Sequence, residues 1–217
     1  MGLLHFAQQR YSTKAYDSEK KIPQHQIDTF LEILRLSPSS INIQPWHFFV
    51  ADNTAAKQRI AQALVGKYAY NAPKVLDSSH TIIFTTQTDI DSQHLQHLLE
   101  RDDVIGRFKD ETTKKTQAEL RQGYINQYRE SDEGIQQWLE NQTFIALGVA
   151  LTNAIALGFD TTAIGGFDAE ILDKELGLSS QGLKASVILT LGYHSEQDFN
   201  AKLPKSRLEQ KQLFTFL

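Results

Sequence analysis

A chain of 217 residues, 41% of them hydrophobic and 10% aromatic, carries the apolar material of one ordinary domain; folding buries roughly 70% of the unfolded surface at this length. Its 22 Lys and Arg against 26 Asp and Glu leave a net charge of −4, which argues against a general electrostatic hold on nucleic acid. Cysteine is absent, which excludes disulfides, thiolate-held zinc, iron–sulfur clusters and a cysteine nucleophile, so redox chemistry here needs a borrowed cofactor.

The first ten residues, MGLLHFAQQR, lack the basic and apolar regions of a signal peptide, and Phe6 stands where a myristoylation motif wants Ser or Thr. No apolar run approaches the ~20 residues that span a bilayer. There is no phosphate-binding Walker loop, no strand–GxGxxG–helix unit and no GxSxG elbow. The expectation is a cytoplasmic chain with no membrane segment.

Leu3–Gln9 reads as a short helix and residues 10–16 as an irregular polar turn. Pro23 introduces a helix over 24–36, because Ile27, Phe30, Leu31 and Leu34 fall at i, i+3, i+4 and i+7. A loop of small hydrogen-bonding residues, 37–45, follows. Trp46–Ala51 reads as a buried strand, then a helix begins near Thr54. Residues 66–75 form a loop or short irregular helix, and the β-branched run at 80–86 a second strand. Polar-faced helices cover 91–106 and Glu111–Arg129. Residues 135–157 are apolar all round, the mark of a helix buried centrally or between subunits, and Gly158 caps it. A strand at Asp160–Ile164, a Gly165-Gly166 turn, a helix capped by Asp168 and a buried strand at 184–191 complete the pattern. The tail from Gly192 holds a basic cluster at 202–207 and an apolar end, LFTFL. No linker or repeat divides the chain, so residues 1–217 are expected to form a single α+β domain.

Three polar clusters stand out: Arg10-Tyr11-Ser12-Thr13-Lys14, residues 37–45 (SPSSINIQP), and residues 202–207 (KLPKSR), together with Asn71, Lys74 and the Gly165-Gly166 pair. Each is individually a common surface pattern. The His94-x-x-His97-x-x-Glu100 pattern reads as a polar helix surface rather than a metal site, since no third ligand follows. His47 reads as a strand residue with a hydrogen-bond partner, and the acidic residues 130–133 as a solvated helix junction.

In combination and order, RYSTKAY at 10–16, SPSSINIQPWHF at 37–48 and NAKLPKSR at 200–207 resemble the nitroreductase family of FMN enzymes over essentially the whole chain. The nearest resemblance is to the oxygen-insensitive NAD(P)H nitroreductase and dihydropteridine reductase branch. It implies a central, mostly antiparallel sheet flanked by helices, and a homodimer with FMN at the subunit interface and the C-terminal tail on the partner. Arg10, Ser12, Lys205 and Arg207 would hold the phosphate and neighbouring ribityl oxygens, with Tyr11 beside them. Forked guanidinium donors suit a phosphate dianion. Lys14, Asn71 and Lys74 would lie along the pyrimidine edge and tune the flavin's potential. The backbone N–H groups of Gly165 and Gly166 would face the ring, and Pro38, Ser39, Ser40 and Asn42 would arrive from the other subunit.

By the same resemblance NADH or NADPH delivers hydride to FMN N5, leaves, and is replaced by a planar, electron-poor acceptor: a nitroaromatic, a quinone or quinonoid dihydropteridine. No side chain is needed as nucleophile or base. Ile41, Tyr68, Tyr70 and Tyr124 would wall the acceptor, although plain core packing explains tyrosines equally well. Gly165 stands where relatives carry Glu, Ile41 where they carry Thr, Tyr124 where they carry Phe and Tyr11 where they carry His, which touches acceptor preference. Two rivals remain: a flavin reductase releasing free reduced FMN, and a non-redox flavin-binding protein.

Overall fold

Strand β2 (His80–Gln87) lies at the middle of the molecule, and its alternation builds two cores at once. Ile82 and Phe84 point to one face, Ile83 to the other, and almost the whole strand is buried. The computed structural model describes residues 2–131 and 134–217, so Asp132 and Glu133 of the acidic run fall outside the described residues. The remaining strands are β1 (Trp46–Ala51), β3 (Asp160–Ile164) and β4 (Leu183–Gly192), and the sheet has the order β1-β2-β4-β3 with every pairing antiparallel. This is the α+β architecture expected.

Helices cover both faces. On one side α2 (Gln24–Arg35) and α7 (Gly134–Ala156) bring Phe30, Leu34, Ala146 and Ala150 onto Ile82, Phe84, Val187 and Leu189. On the other, α3 (Thr54–Ala61), α4 (Ala72–Asp77) and α8 (Ala169–Leu176) contribute Ile60, Val75 and Leu172 against Ile83 and Ile188. Between β2 and α7 the chain makes an excursion, α5 (Ser92–Val104) and α6 (Glu111–Arg129), with its own apolar cluster around Leu98, Ile125, Trp138 and Leu139. A short helix, α1 (Leu3–Gln9), opens the chain, and the one-turn α9 (Gln210–Leu213) lies near its end. Asp168 caps its helix as expected and Gly158 has φ 86 just past α7, while Asn53, Asp91 and Asp110 likewise accept a backbone N–H in the first turn of their helices.

Four expectations change in detail. Strand β1 is an edge strand, half exposed rather than buried, because only β2 pairs with it. The ring of His47 is exposed and packs edge-on against Phe49 at 5.0 Å; its carbonyl, not its ring, is bonded, accepting from the Thr85 hydroxyl. Helix α7 buries Trp138, Leu139 and Ala146 but leaves Phe144 and Ile145 exposed in a single chain. Residues 10–16 are not a free turn: Ser12 pairs in parallel with Thr161 and Tyr16 antiparallel with His194. The tyrosine ring crosses the backbone so closely that a Cβ on Gly192 would come within 2.9 Å of it, which leaves glycine the only residue that fits.

Candidate active site

The two ends of the chain meet beside β3. Thr13 donates its N–H to the Thr161 carbonyl at 3.2 Å, and Ser195 donates to the Ala15 carbonyl at 3.0 Å. Asp198 is fully buried between them and accepts the Lys14 N–H at 3.1 Å and the Asn200 N–H at 3.0 Å. Asn200 in turn donates its side-chain amide to the Ser12 carbonyl at 2.7 Å, and the Lys205 ammonium donates to the Arg10 carbonyl. Asp198, which was not singled out from the sequence, and Asn200, which opens the NAKLPKSR run but was given no role of its own, therefore organise the site. The signal available was the Asp-x-Asn turn just upstream of the basic run, an N-cap pattern.

These contacts enclose a cavity of about 570 Å³ lined by Arg10, Tyr11, Ser12, Lys14, Lys205 and Arg207 among others. Among the described residues, Arg10, Lys205 and Arg207 form no ion pair with a carboxylate. Instead they repel one another. Burial, then the charge of Arg207, lowers the pKa of Arg10, and burial followed by Arg10 and Arg207 lowers that of Lys205. Three cations held together without a counter-charge, beside a serine hydroxyl, form a receptor for a dianion such as a phosphate monoester. The donor set thus fits the phosphate end of FMN. Tyr11 adds a buried hydroxyl with no hydrogen-bond partner among the described residues, and burial raises its pKa well above the usual phenol value, with the charges of Asp160 and Asp198 adding to the shift.

A second group lies at the start of α4. Lys74 donates to the Asn71 side-chain carbonyl at 2.7 Å and the Tyr70 carbonyl at 3.1 Å, and the Asn71 amide donates to the Gly166 carbonyl at 2.9 Å. Burial lowers the pKa of Lys74, and the charge of Lys14 lowers it further. A Cβ on Gly166 would meet Tyr68 at 3.1 Å and the Asn71 amide at 3.2 Å, whereas nothing lies within 4 Å of one on Gly165. The two glycines are thus not equivalent: only at Gly166 would a side chain press on its neighbours. Tyr70 is exposed with its ring 4.7 Å from the Lys74 ammonium, and Tyr124 on α6 is exposed too, so neither is a core residue.

The loop over 37–45 is fixed separately. Ile41, Asn42 and Gln44 have φ of 48°, 56° and 45°, left-handed conformations that cost about 1–3 kcal/mol each for non-glycine residues. Side chains from the helices hold them: the Gln142 carbonyl accepts the Ser40 N–H at 2.8 Å, His94 Nε2 donates to the Ile43 carbonyl at 2.7 Å, and Arg121 donates to the Ile41 carbonyl at 3.2 Å. The Ser39 hydroxyl accepts the Gln44 N–H at 3.0 Å. His94 is therefore a loop anchor, also paired with Gln87, and among the described residues no cluster suits a metal ion. Within one chain the cavity collects Arg10, Tyr11, Ser12, Lys14, Lys205 and Arg207, and the α4 group collects Tyr68, Tyr70, Asn71, Lys74 and Gly166. Pro38, Ser39, Ser40, Ile41 and Asn42 sit on the loop braced by α5, α6 and α7.

Comparison with known proteins bears on this arrangement. The nitroreductase family model matches residues 7–193. The chain is 40% identical over 208 residues to the oxygen-insensitive NAD(P)H nitroreductase of Salmonella typhimurium, covering 96% of each chain. It is 32% identical over 216 residues to the major NAD(P)H-flavin oxidoreductase of Aliivibrio fischeri, covering 99% of this chain and 98% of the relative. In fold it is similar to a nitroreductase-type protein of Exiguobacterium sibiricum solved in complex with FMN, with a TM-score of 0.82 at 21% identity over 100% of this chain and 98% of that one. With two chain ends joined around an anion-receptive cavity and a match along nearly its whole length, the chain belongs to the nitroreductase family.

Proposed function

We propose that the chain is an FMN-dependent NAD(P)H oxidoreductase that reduces nitroaromatics and quinones, with quinonoid dihydropteridine as a further acceptor. One observation carries this reading: Arg10, Lys205 and Arg207, drawn from opposite ends of the sequence, converge without a counter-charge on one cavity. Arg10, Ser12, Lys205 and Arg207 bind the phosphate, with Tyr11 alongside. Lys14, Asn71 and Lys74 lie along the ring edge, and Gly165 with Gly166 borders it. When bound, FMN supplies the hydride-accepting and electron-donating centre. The protein binds, orients and tunes: the positive charge of Lys14 and Lys74 favours the electron-rich ring, and the Lys74–Asn71–Gly166 chain of hydrogen bonds keeps that edge rigid.

The working unit is a homodimer of single-domain chains spanning 1–217. Exposed Phe144 and Ile145 on α7 and the exposed tail side chains Leu203, Leu208, Leu213, Phe214 and Phe216 need an apolar partner, and a second copy of the chain supplies one. The half-exposed edge of β1 offers that tail a place to add a strand. In this dimer Pro38, Ser39, Ser40 and Asn42 complete the partner's flavin site, and Ile41, Tyr68, Tyr70 and Tyr124 wall the acceptor. A reduced nicotinamide donor makes the cytoplasm the working compartment. No described helix is long and apolar enough to cross a membrane.

The open space at Gly165 favours a second reading, in which free FMN is the acceptor and leaves reduced. Anaerobic stopped-flow following the flavin band separates the readings. The purified protein is expected to be yellow with about one FMN per chain, to bleach with NADH or NADPH, and to recover its colour faster with a nitrofuran than with free FMN. A colourless protein that takes up no FMN overturns the assignment.

A further inference from the structure

Arg121 and Asp102 form a buried ion pair between α6 and α5, 2% and 3% exposed, with Nη2 to Oδ2 at 2.6 Å. Arg107 braces the same carboxylate from outside, its Nε 3.5 Å from Oδ1, and its N–H donates to the Asp102 carbonyl at 2.9 Å. Replacing such a pair with apolar side chains of similar volume is often neutral or stabilising, so helix-to-helix adhesion alone does not explain its presence. What an apolar pair cannot do is donate a hydrogen bond. Arg121 Nε donates to the carbonyl of Ile41, the β-branched residue at φ 48, while Nη1 is buried with no partner among the described residues. A cavity of about 320 Å³, lined by Leu95, Leu99 and Ala118, lies beside the guanidinium. Its orientation is therefore set by Asp102 on one side and the Ile41 carbonyl on the other.

The other two anchors of the loop grip Ser40 and Ile43. Arg121 grips Ile41 itself, the residue whose side chain the proposed function sets against the acceptor. We propose that Arg121 is a positioning residue for acceptor selection: braced by Asp102, it keeps Ile41 in its left-handed conformation and so fixes the shape of the acceptor wall. This inference rests on the reading of Ile41 as a wall residue.

The test compares the wild-type holoenzyme with Arg121→Met/Asp102→Leu, which removes both buried charges together, and with Arg121→Lys, which retains a donor. Two measurements are made: amide hydrogen exchange of residues 41–44 in the FMN-bound protein, and steady-state kinetics with a small quinone and a bulkier nitroaromatic. The double variant is expected to keep its melting temperature, to exchange at 41–44 about tenfold faster while the rest of α5 and α6 stays protected, and to show about a tenfold change in the ratio of the two acceptor KM values with kcat held. Arg121→Lys recovers part of both effects. Unchanged exchange at 41–44, or an equal loosening of both helices, overturns the proposal. Faster exchange with an unchanged KM ratio leaves Arg121's hold on the loop standing and removes Ile41 from the acceptor wall.

Discussion

The ammonium of Lys205 donates a hydrogen bond to the carbonyl of Arg10, a residue 195 positions away in sequence. The contact ties the tail to the first turn, and Arg10, Lys205 and Arg207 line one cavity there. An anion bound there neutralises a repulsion that the fold otherwise maintains.

Removing one of these cations weakens FMN retention. Lys205→Ala or Arg207→Ala each deletes a charge-assisted contact worth roughly 1.5–3 kcal/mol, so the dissociation constant for FMN rises about 10- to 100-fold. Fluorescence titration of the stripped protein measures it; equal affinity in both variants and wild type moves the phosphate elsewhere.

The same repulsion gives the flavin-free protein a pH signature. Lys205 and Lys74 have folded pKa values below those of the unfolded chain, so in that interval the unfolded state binds more protons. Their burden is therefore present at neutral pH and is relieved as pH rises through the folded values towards the ordinary lysine value of about 10.4. Thermal melts of stripped protein should show this relief as a gain in melting temperature with rising pH. The gain should shrink in Lys205→Met and when phosphate is added.

Gly165 and Gly166 should respond oppositely to a side chain. Gly166→Ala drives a methyl towards Tyr68 and the Asn71 amide and is expected to destabilise by about 1–3 kcal/mol. A Cβ at Gly165 meets no atom within 4 Å, so Gly165→Glu should leave the melting temperature in place while lowering turnover of free FMN relative to a nitrofuran. Differential scanning calorimetry with paired acceptor assays decides it, and equal destabilisation by both substitutions contradicts the distinction.

Deleting residues 208–217 removes Leu208, Leu213, Phe214 and Phe216, all exposed in a single chain. The truncated protein is expected to sediment with a larger monomer fraction than the full chain and to lose FMN on dilution. Identical sedimentation of both forms would show that the tail does not hold the dimer.

Much of the site was legible in the combination and order of its motifs rather than in any one of them. Arg10, Ser12, Lys14, Lys205 and Arg207 are local runs of charge and hydroxyl, and the cavity gathers them. Residues 80–86 were legible as a strand because β-branched residues fill a short run, and Asp168 as a cap because an acidic residue precedes an amphipathic turn. The half-exposed state of β1 was not legible, since WHFFVA has the same composition at the edge of a sheet as at its centre. Nor was the full role of Asp198: its bond from the Asn200 N–H is a local cap, but the Lys14 N–H reaches it only after the chain ends meet.

By itself the sequence determined the periodicities that make each helix and strand, the caps that end them, and the charge and hydroxyl content available to hold an anion, because these depend on neighbours a few positions apart. Tertiary structure alone decided which strand became an edge, that Arg10 and Lys205 share a wall, and that Ile41 is held at φ 48 by Arg121. Such features depend on through-space distances between residues remote along the chain, and those distances exist only once both cores have packed on the sheet.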